Sequence, residues 1–196
     1  MIIQNRLRWD ILDGGECATV KFEKCDDVAL GKAEVIKEGN DITVLAIGKM
    51  VSRAMEAVEE LKKKNDALVD IQDSQVALNK SNVQDSENID IEVINARFLM
   101  PLDKETILKS IKKTKKVVII EDNIIEGGLG TKIQELIIEE NLQDVKCLKI
   151  AYPVDFIKQG SVDEIEEKYG LDKKSIAKNL KMLYNNIEKF WEGMNF

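Results

Sequence analysis

The chain of 196 residues contains no histidine. That removes imidazole acid–base catalysis, Ser-His and Cys-His nucleophilic pairs and the common zinc sets. Its cysteines, Cys17, Cys25 and Cys147, are odd in number and show no C-x-x-C spacing. They argue against a disulfide framework or a zinc site and for a reducing compartment. Cys147 falls in an expected core strand and reads as a small buried hydrophobe. Proline occurs only at Pro101 and Pro153, and aromatics make up 5%. No apolar run approaches the ~20 residues of a membrane span, and no secretory signal is expected at the N-terminus. Net charge is −7, with lysines interspersed among acids, so there is no basic stripe for nucleic acid. An α/β chain without histidine reads as a piece of an enzyme.

What is present is a globular composition, 44% hydrophobic and 33% charged. The most informative stretch is residues 115–140, KKVVIIEDNIIEGGLGTKIQELIIEE. The β-branched run Val117–Ile120 predicts a strand buried on both faces, as in parallel sheets. Glu121 and Asp122 follow at its carboxyl end, then Gly127-Gly128-Leu129-Gly130, which predicts a turn of unusual geometry. Thr131 is placed to cap a helix with Ile133, Leu136 and Ile137 on its apolar stripe. In open α/β sheets, sites collect at the carboxyl ends of strands, where this turn falls. The turn has two readings: tight packing of strand on helix, or an anion cradle at a helix N-terminus made by Gly127, Gly128, Gly130 and Thr131. Residue content favours packing, because no Rossmann fingerprint or ribose-binding acid accompanies the glycines.

Residues 1–30 show no sustained period and read as a loosely structured leader. Gly31–Gly39 predicts a short strand and turn, leading into a core strand over Ile42–Ile47. So short a turn predicts an antiparallel pair of these two strands. Met50–Lys64 predicts a helix with Val51, Ala54, Met55, Val58 and Leu61 inward and Lys62-Lys63-Lys64 closing it. Asp66–Asn88 is rich in Asp, Asn, Ser and Gln and reads as a weakly ordered insertion, helical at most at its start. Ile89–Phe98 predicts a strand, and Asp103 caps a helix to about Lys113. A further strand spans Asp144–Ala151. Pro153 makes Tyr152–Ile157 a loop. Ser161 and Glu164 form a capping box for a helix over Val162–Tyr169 ended by Gly170, and Asp172 starts a last helix to about Phe190. The alternation predicts a mostly parallel sheet with helices on both faces and one strand running against the rest.

Several segments together resemble the C-terminal domain of the transketolase superfamily of thiamine-diphosphate enzymes. They are GKAEVIKEGNDITVLAIGKMV (31–51), INARFLMPLDKETI (94–107), VVIIEDNIIEGGLGTKIQEL (117–136) and FIKQGSVDEIEEKYGLDKKSIAKNL (156–180). The last resembles the 1-deoxy-D-xylulose-5-phosphate synthase branch more than transketolase or the β subunit of E1-type 2-oxoacid dehydrogenases. The resemblance covers residues 31–185 without the insertion. It implies a three-layer α/β/α sandwich on a mixed five-stranded sheet with one antiparallel edge strand, over residues 31–190.

The resemblance also implies a function. Enzymes of that branch condense pyruvate with glyceraldehyde 3-phosphate, with loss of carbon dioxide, at the head of the methylerythritol phosphate route to isoprenoids. Their thiamine diphosphate and magnesium, and their substrate-handling histidines, belong to two preceding domains. This sequence has no Gly-Asp-Gly…Asn metal motif, no histidine, and no arginine-bearing segment ahead of Gly31 beyond Arg6-Leu7-Arg8-Trp9. The implied role is therefore scaffold and dimer contact, with no catalytic, cofactor or metal residue of its own. Implied partners are the remaining domains of the enzyme and a second copy in a homodimer. The implied location is the cytoplasm of a bacterium or a plastid-type organelle. A free-standing anion-binding regulatory module is the reading from another class. Arg97, at a strand end, has two readings: a rim contact to phosphate or carboxylate, or an intradomain salt bridge, which the surrounding acids favour. Glu121 reads as a structural acid rather than a base.

Overall fold

The computed structural model describes residues 28–72 and 88–185. The expectations for the leader before Val28, for the insertion between Gln72 and Asn88, and for the last helix beyond Asn185 lie outside the described residues. The strands are β1 (Glu34–Lys37), β2 (Ile42–Ala46), β3 (Ile91–Asn95), β4 (Lys116–Ile124) and β5 (Lys146–Tyr152). The helices are α1 (Met50–Gln72), α2 (Lys104–Thr114), α3 (Leu129–Glu139), α4 (Val162–Tyr169) and α5 (Lys173–Asn185).

The five strands form one sheet in the order β1-β3-β2-β4-β5. Every neighbouring pair is parallel except β1–β3. The antiparallel edge strand is as expected, but its partner is not: β1 pairs with β3, and no β1–β2 hairpin forms. Two causes act together. β1 alternates with charge and is only partly buried, whereas all five positions of β2 are buried. Only an edge accepts β1, and only the interior suits β2. The turn between them therefore crosses the start of β3. The amides of Asn40 and Asp41 both donate to the Asp90 carbonyl, at 3.0 and 2.8 Å. The Asp90 amide donates to Asp41 Oδ2 at 2.8 Å. Gly39 lies so close to β3 that a β-carbon there would stand 2.3 Å from the Ile91 carbonyl carbon.

Both faces of the sheet are covered. Val118 and Ile120 of β4 join Ile42, Val44 and Ala46 beneath α1 and α5, while Val117 and Ile119 join Leu45 and Ile94 beneath α2 and α3. The alternate residues of one strand thus feed two cores, which is why an unbroken β-branched run is needed there.

Helix α1 runs past Lys64 to Gln72, so the expected stop at the three lysines is corrected. Lysine is a good helix former, and neither glycine nor proline follows before Gln72. Helix α2 begins as expected. Asp103, 4% exposed, accepts from the Thr106 amide at 3.2 Å and the Thr106 hydroxyl at 3.0 Å. It also accepts from the Ala33 amide at 3.0 Å, so the cap ties the entry to β1 onto α2.

Burial raises the Asp103 pKa, but the amide and hydroxyl donors and nearby Lys32 outweigh it, and the net shift is downward from the ordinary 3.8. A carboxyl depressed on folding stabilises the native state above its unfolded pKa and loses that contribution as pH falls through its folded pKa. Stability should therefore fall as pH drops below 3.8. Asp103→Asn should lower stability at neutral pH and flatten that acid slope. Urea midpoints of both proteins at pH 7 and pH 3 read this directly; parallel acid slopes would contradict it.

Candidate functional site

Strand β4 does not stop at Ile120. It continues through Glu121 and Asp122 to Ile124, and Glu121 is 3% exposed. Its carboxylate turns back under the glycine turn. Oε2 accepts the Leu129 amide at 2.8 Å, and Oε1 accepts the Gly130 amide at 2.9 Å. The positive end of α3 thus holds an anion, and that anion is the chain's own side chain. Both oxygens are engaged and the side chain is 3% exposed, so Glu121 serves the turn as a structural acid.

The glycines follow from this arrangement. A β-carbon on Gly128 would lie 2.0 Å from Glu121 Oε2, and one on Gly130 would lie 2.5 Å from Lys149 Cδ. Gly127 has φ +74° and carries the left-handed step of the turn. The helix N-cap is Gly128, with φ −93°, and not Thr131. Thr131 sits in the first turn of α3, and its hydroxyl accepts the Gly127 amide at 2.9 Å. The reason is that α3 starts two residues before Thr131, at Leu129, where Glu121 takes the first amides, so Thr131 lies inside the first turn and its hydroxyl serves the Gly127 amide.

Arg97 lies beyond the end of β3, two strands away from this turn. It adopts φ +54°, held by its amide donating to Asn95 Oδ1 at 3.0 Å. Its guanidinium meets Glu34 Oε2 at 2.7 Å, across the β1–β3 pair that sets Glu34 opposite Asn95. The structure therefore does not bring Arg97 together with Glu121 and the glycines.

A different cluster does form at the carboxyl ends of β2, β4 and β5. Glu166 of α4, 1% exposed, receives the Arg53 Nε at 2.8 Å and lies 3.2 Å from the Lys49 ammonium. Lys49 also meets Asp122 at 3.0 Å, and Arg53 meets Asp163 at 3.3 Å. Burial lowers the Lys49 pKa, but its bonds to Asp122 and Glu166 outweigh this and raise it. Tyr152 is raised by burial first and by Asp122 second. Sequence reasoning did not single out this cluster. Glu166 sits in an acidic run, and nothing in the spacing distinguishes the one acid that turns inward.

Cys147 is half-buried on β5 against the α2–α3 core. Burial pushes its thiol up to about 11, so it is a poor nucleophile at neutral pH. Among the described residues no group of three or more acid or thiol side chains is arranged to hold a metal ion.

Comparison with known proteins places these features. The family described as "Transketolase, C-terminal domain" matches residues 31–74 and 73–176. The two matched pieces overlap at residues 73–74, just past the end of α1. A 1-deoxy-D-xylulose-5-phosphate synthase of Geobacter metallireducens is 36% identical over 79% of this chain and 21% of its own length. One from Caldanaerobacter subterraneus subsp. tengcongensis is 36% identical over 88% of this chain and 24% of its own. The chain thus spans between a fifth and a quarter of these two relatives. Among solved structures, a split-gene transketolase described as an inactive beta4 tetramer superposes with a TM-score of 0.62 at 25% identity, over 79% of this chain and 42% of that one.

Proposed function

Because this chain belongs to the transketolase C-terminal domain family, we propose that it is the last domain of a 1-deoxy-D-xylulose-5-phosphate synthase. The observation that carries the reading is the identity of 36% to synthases of two bacteria over most of this chain. The whole enzyme would condense pyruvate with glyceraldehyde 3-phosphate and release carbon dioxide. Thiamine diphosphate and magnesium would sit in the other domains and supply the carbanion chemistry.

Among the described residues no three acid or thiol side chains are grouped to hold a metal ion. The helix N-terminus that most resembles an anion site is occupied by Glu121, and that occupancy also counts against a free-standing anion-binding module. What the domain would supply is a rigid platform. Its buried carboxylate Glu121 fixes the β4–α3 turn, so that loop of the carboxyl edge keeps one shape against neighbouring domains. A second copy would complete a homodimer.

Two experiments test this. The purified chain of 196 residues should show no turnover of pyruvate with glyceraldehyde 3-phosphate when thiamine diphosphate and magnesium are added, because it carries neither histidine nor the metal motif. Turnover by this chain alone would overturn the reading. Grafted in place of the C-terminal part of the Geobacter metallireducens synthase, residues 31–185 should support synthase activity. A chimera that folds, dimerises and is inactive would instead favour an E1-type or transketolase parent.

A further inference from the structure

Helix α4 buries almost nothing apolar. Glu166 is its only fully buried side chain, while Val162 is 57% exposed. Ile165 is half-buried, and its side chain lies against Gly160 of its own approach loop, 3.5 Å from where a β-carbon would stand. Only the last residue, Tyr169, packs on the α1–α5 core, edge-on to Tyr152 with ring centroids 5.7 Å apart. The approach loop is equally untethered. Val154 and Phe156 are 59% and 86% exposed. The hydrogen bonds of this loop run from the Asp155 amide to the Pro153 carbonyl and from the Phe156 amide to Asp155 Oδ1, both within the loop.

The segment is well fixed at its two ends. Tyr152 closes β5, and its carbonyl accepts the Ile125 amide at 2.8 Å. Leu171 is fully buried, directly after Gly170 with its φ of +76°. Between these ends, apart from Tyr169 beside the Gly170 hinge, the attachment to the rest of the domain is ionic: Glu166 to Arg53 and Lys49 of the β2–α1 corner, and Asp163 to Arg53. Helix α4 is itself well built, with a complete Ser161–Glu164 capping box, so it can move as a body.

We propose that residues 153–170 form a flap over the carboxyl ends of β2, β4 and β5, hinged at Tyr152 and Gly170 and latched by Glu166. Apolar packing scales with area and resists small displacement. A latch of one charge-assisted hydrogen bond, from Arg53, and one ion pair, to Lys49, on a single carboxylate is weakened as a unit when that carboxylate is neutralised. Opening releases Lys49 and Arg53 from the flap, leaves them paired with Asp122 and Glu56, and uncovers Tyr152, while the sheet and both cores stay intact. Glu166 is thus a positioning residue, acting through the cations of α1.

The test is amide hydrogen exchange by mass spectrometry on the full chain, with a parallel urea titration. In Glu166→Gln, which keeps the volume and removes the charge, exchange of peptides within 153–170 should rise about ten- to hundredfold, the size expected from losing one hydrogen bond to a charged group. Exchange of the β4 strand and the urea midpoint should not change. Arg53→Met, removing the latch from the opposite side, should give the same pattern. The proposal fails if flap peptides are unaltered in both variants. It fails equally if they exchange only together with β4, because α4 would then be an ordinary part of the cooperative core.

Discussion

Replacing Gly128 with valine should lower stability by about 3–5 kcal/mol, from the lost charge-assisted hydrogen bonds and the buried carboxylate left behind. The cause is not backbone strain, since φ at Gly128 is −93°. It is the carboxylate of Glu121, whose Oε2 and Cδ would lie 2.0 and 2.6 Å from the new β-carbon. Glu121 is 3% exposed, so it cannot move aside into water without giving up the Leu129 and Gly130 amides. Gly127 provides the contrast. It has φ +74° and open space around the position of a β-carbon, so Gly127→Ala should cost only the left-handed penalty, about 1–2 kcal/mol. A double-mutant cycle separates the causes. With Glu121→Ala already present, adding Gly128→Val should cost much less than Gly128→Val does alone, because the atom it would strike is gone. Denaturant midpoints at constant slope measure all four proteins. An unchanged midpoint in Gly128→Val would refute the account of the turn.

The second large effect concerns β4. Ile119→Ala and Ile120→Ala should each cost about 2–5 kcal/mol, the range for deleting a large buried aliphatic side chain. Both residues are fully buried, yet they face opposite ways. Ile120 packs beneath α1 and α5, and Ile119 beneath α2 and α3. A sheet with one solvated face would make one of the two nearly neutral. Comparable losses on consecutive residues are the signature of three layers, read from guanidinium or thermal unfolding of each variant.

Most of the architecture was legible in local chemistry. The Val117–Ile120 run, the Asp103 cap, the Ser161–Glu164 box and the Gly170 stop each act within a few residues, and each is a feature a sequence states outright. The resemblance of residues 31–51, 94–107, 117–136 and 156–180 to one family carried the rest of the fold. Where sequence reading erred, the deciding contact was long-range. Short turns predict hairpins, but β1 left β2 for β3 because only burial distinguishes an edge strand from a central one. The one local exception is Lys62-Lys63-Lys64, which reads as a helix end until the absence of any breaker before Gln72 is weighed. Thr131 has the right spacing for a cap, but a carboxylate from the preceding strand holds the Leu129 and Gly130 amides and the helix starts there instead.

By itself, then, the sequence determined which segments are strands and helices, that both faces of the sheet are covered, and that imidazole chemistry is excluded. Those properties depend on composition and on periods of two and 3.6 residues, which are local. Only the tertiary structure decided the partners of the charged groups. Arg97 went to Glu34, Glu121 to the amides of α3, and Glu166 to Arg53 and Lys49. A carboxylate looks the same in sequence whether it faces water, a substrate or a helix end. Its role is set by which cation or amide the fold brings within about 3 Å, and that depends on segments far apart in the chain.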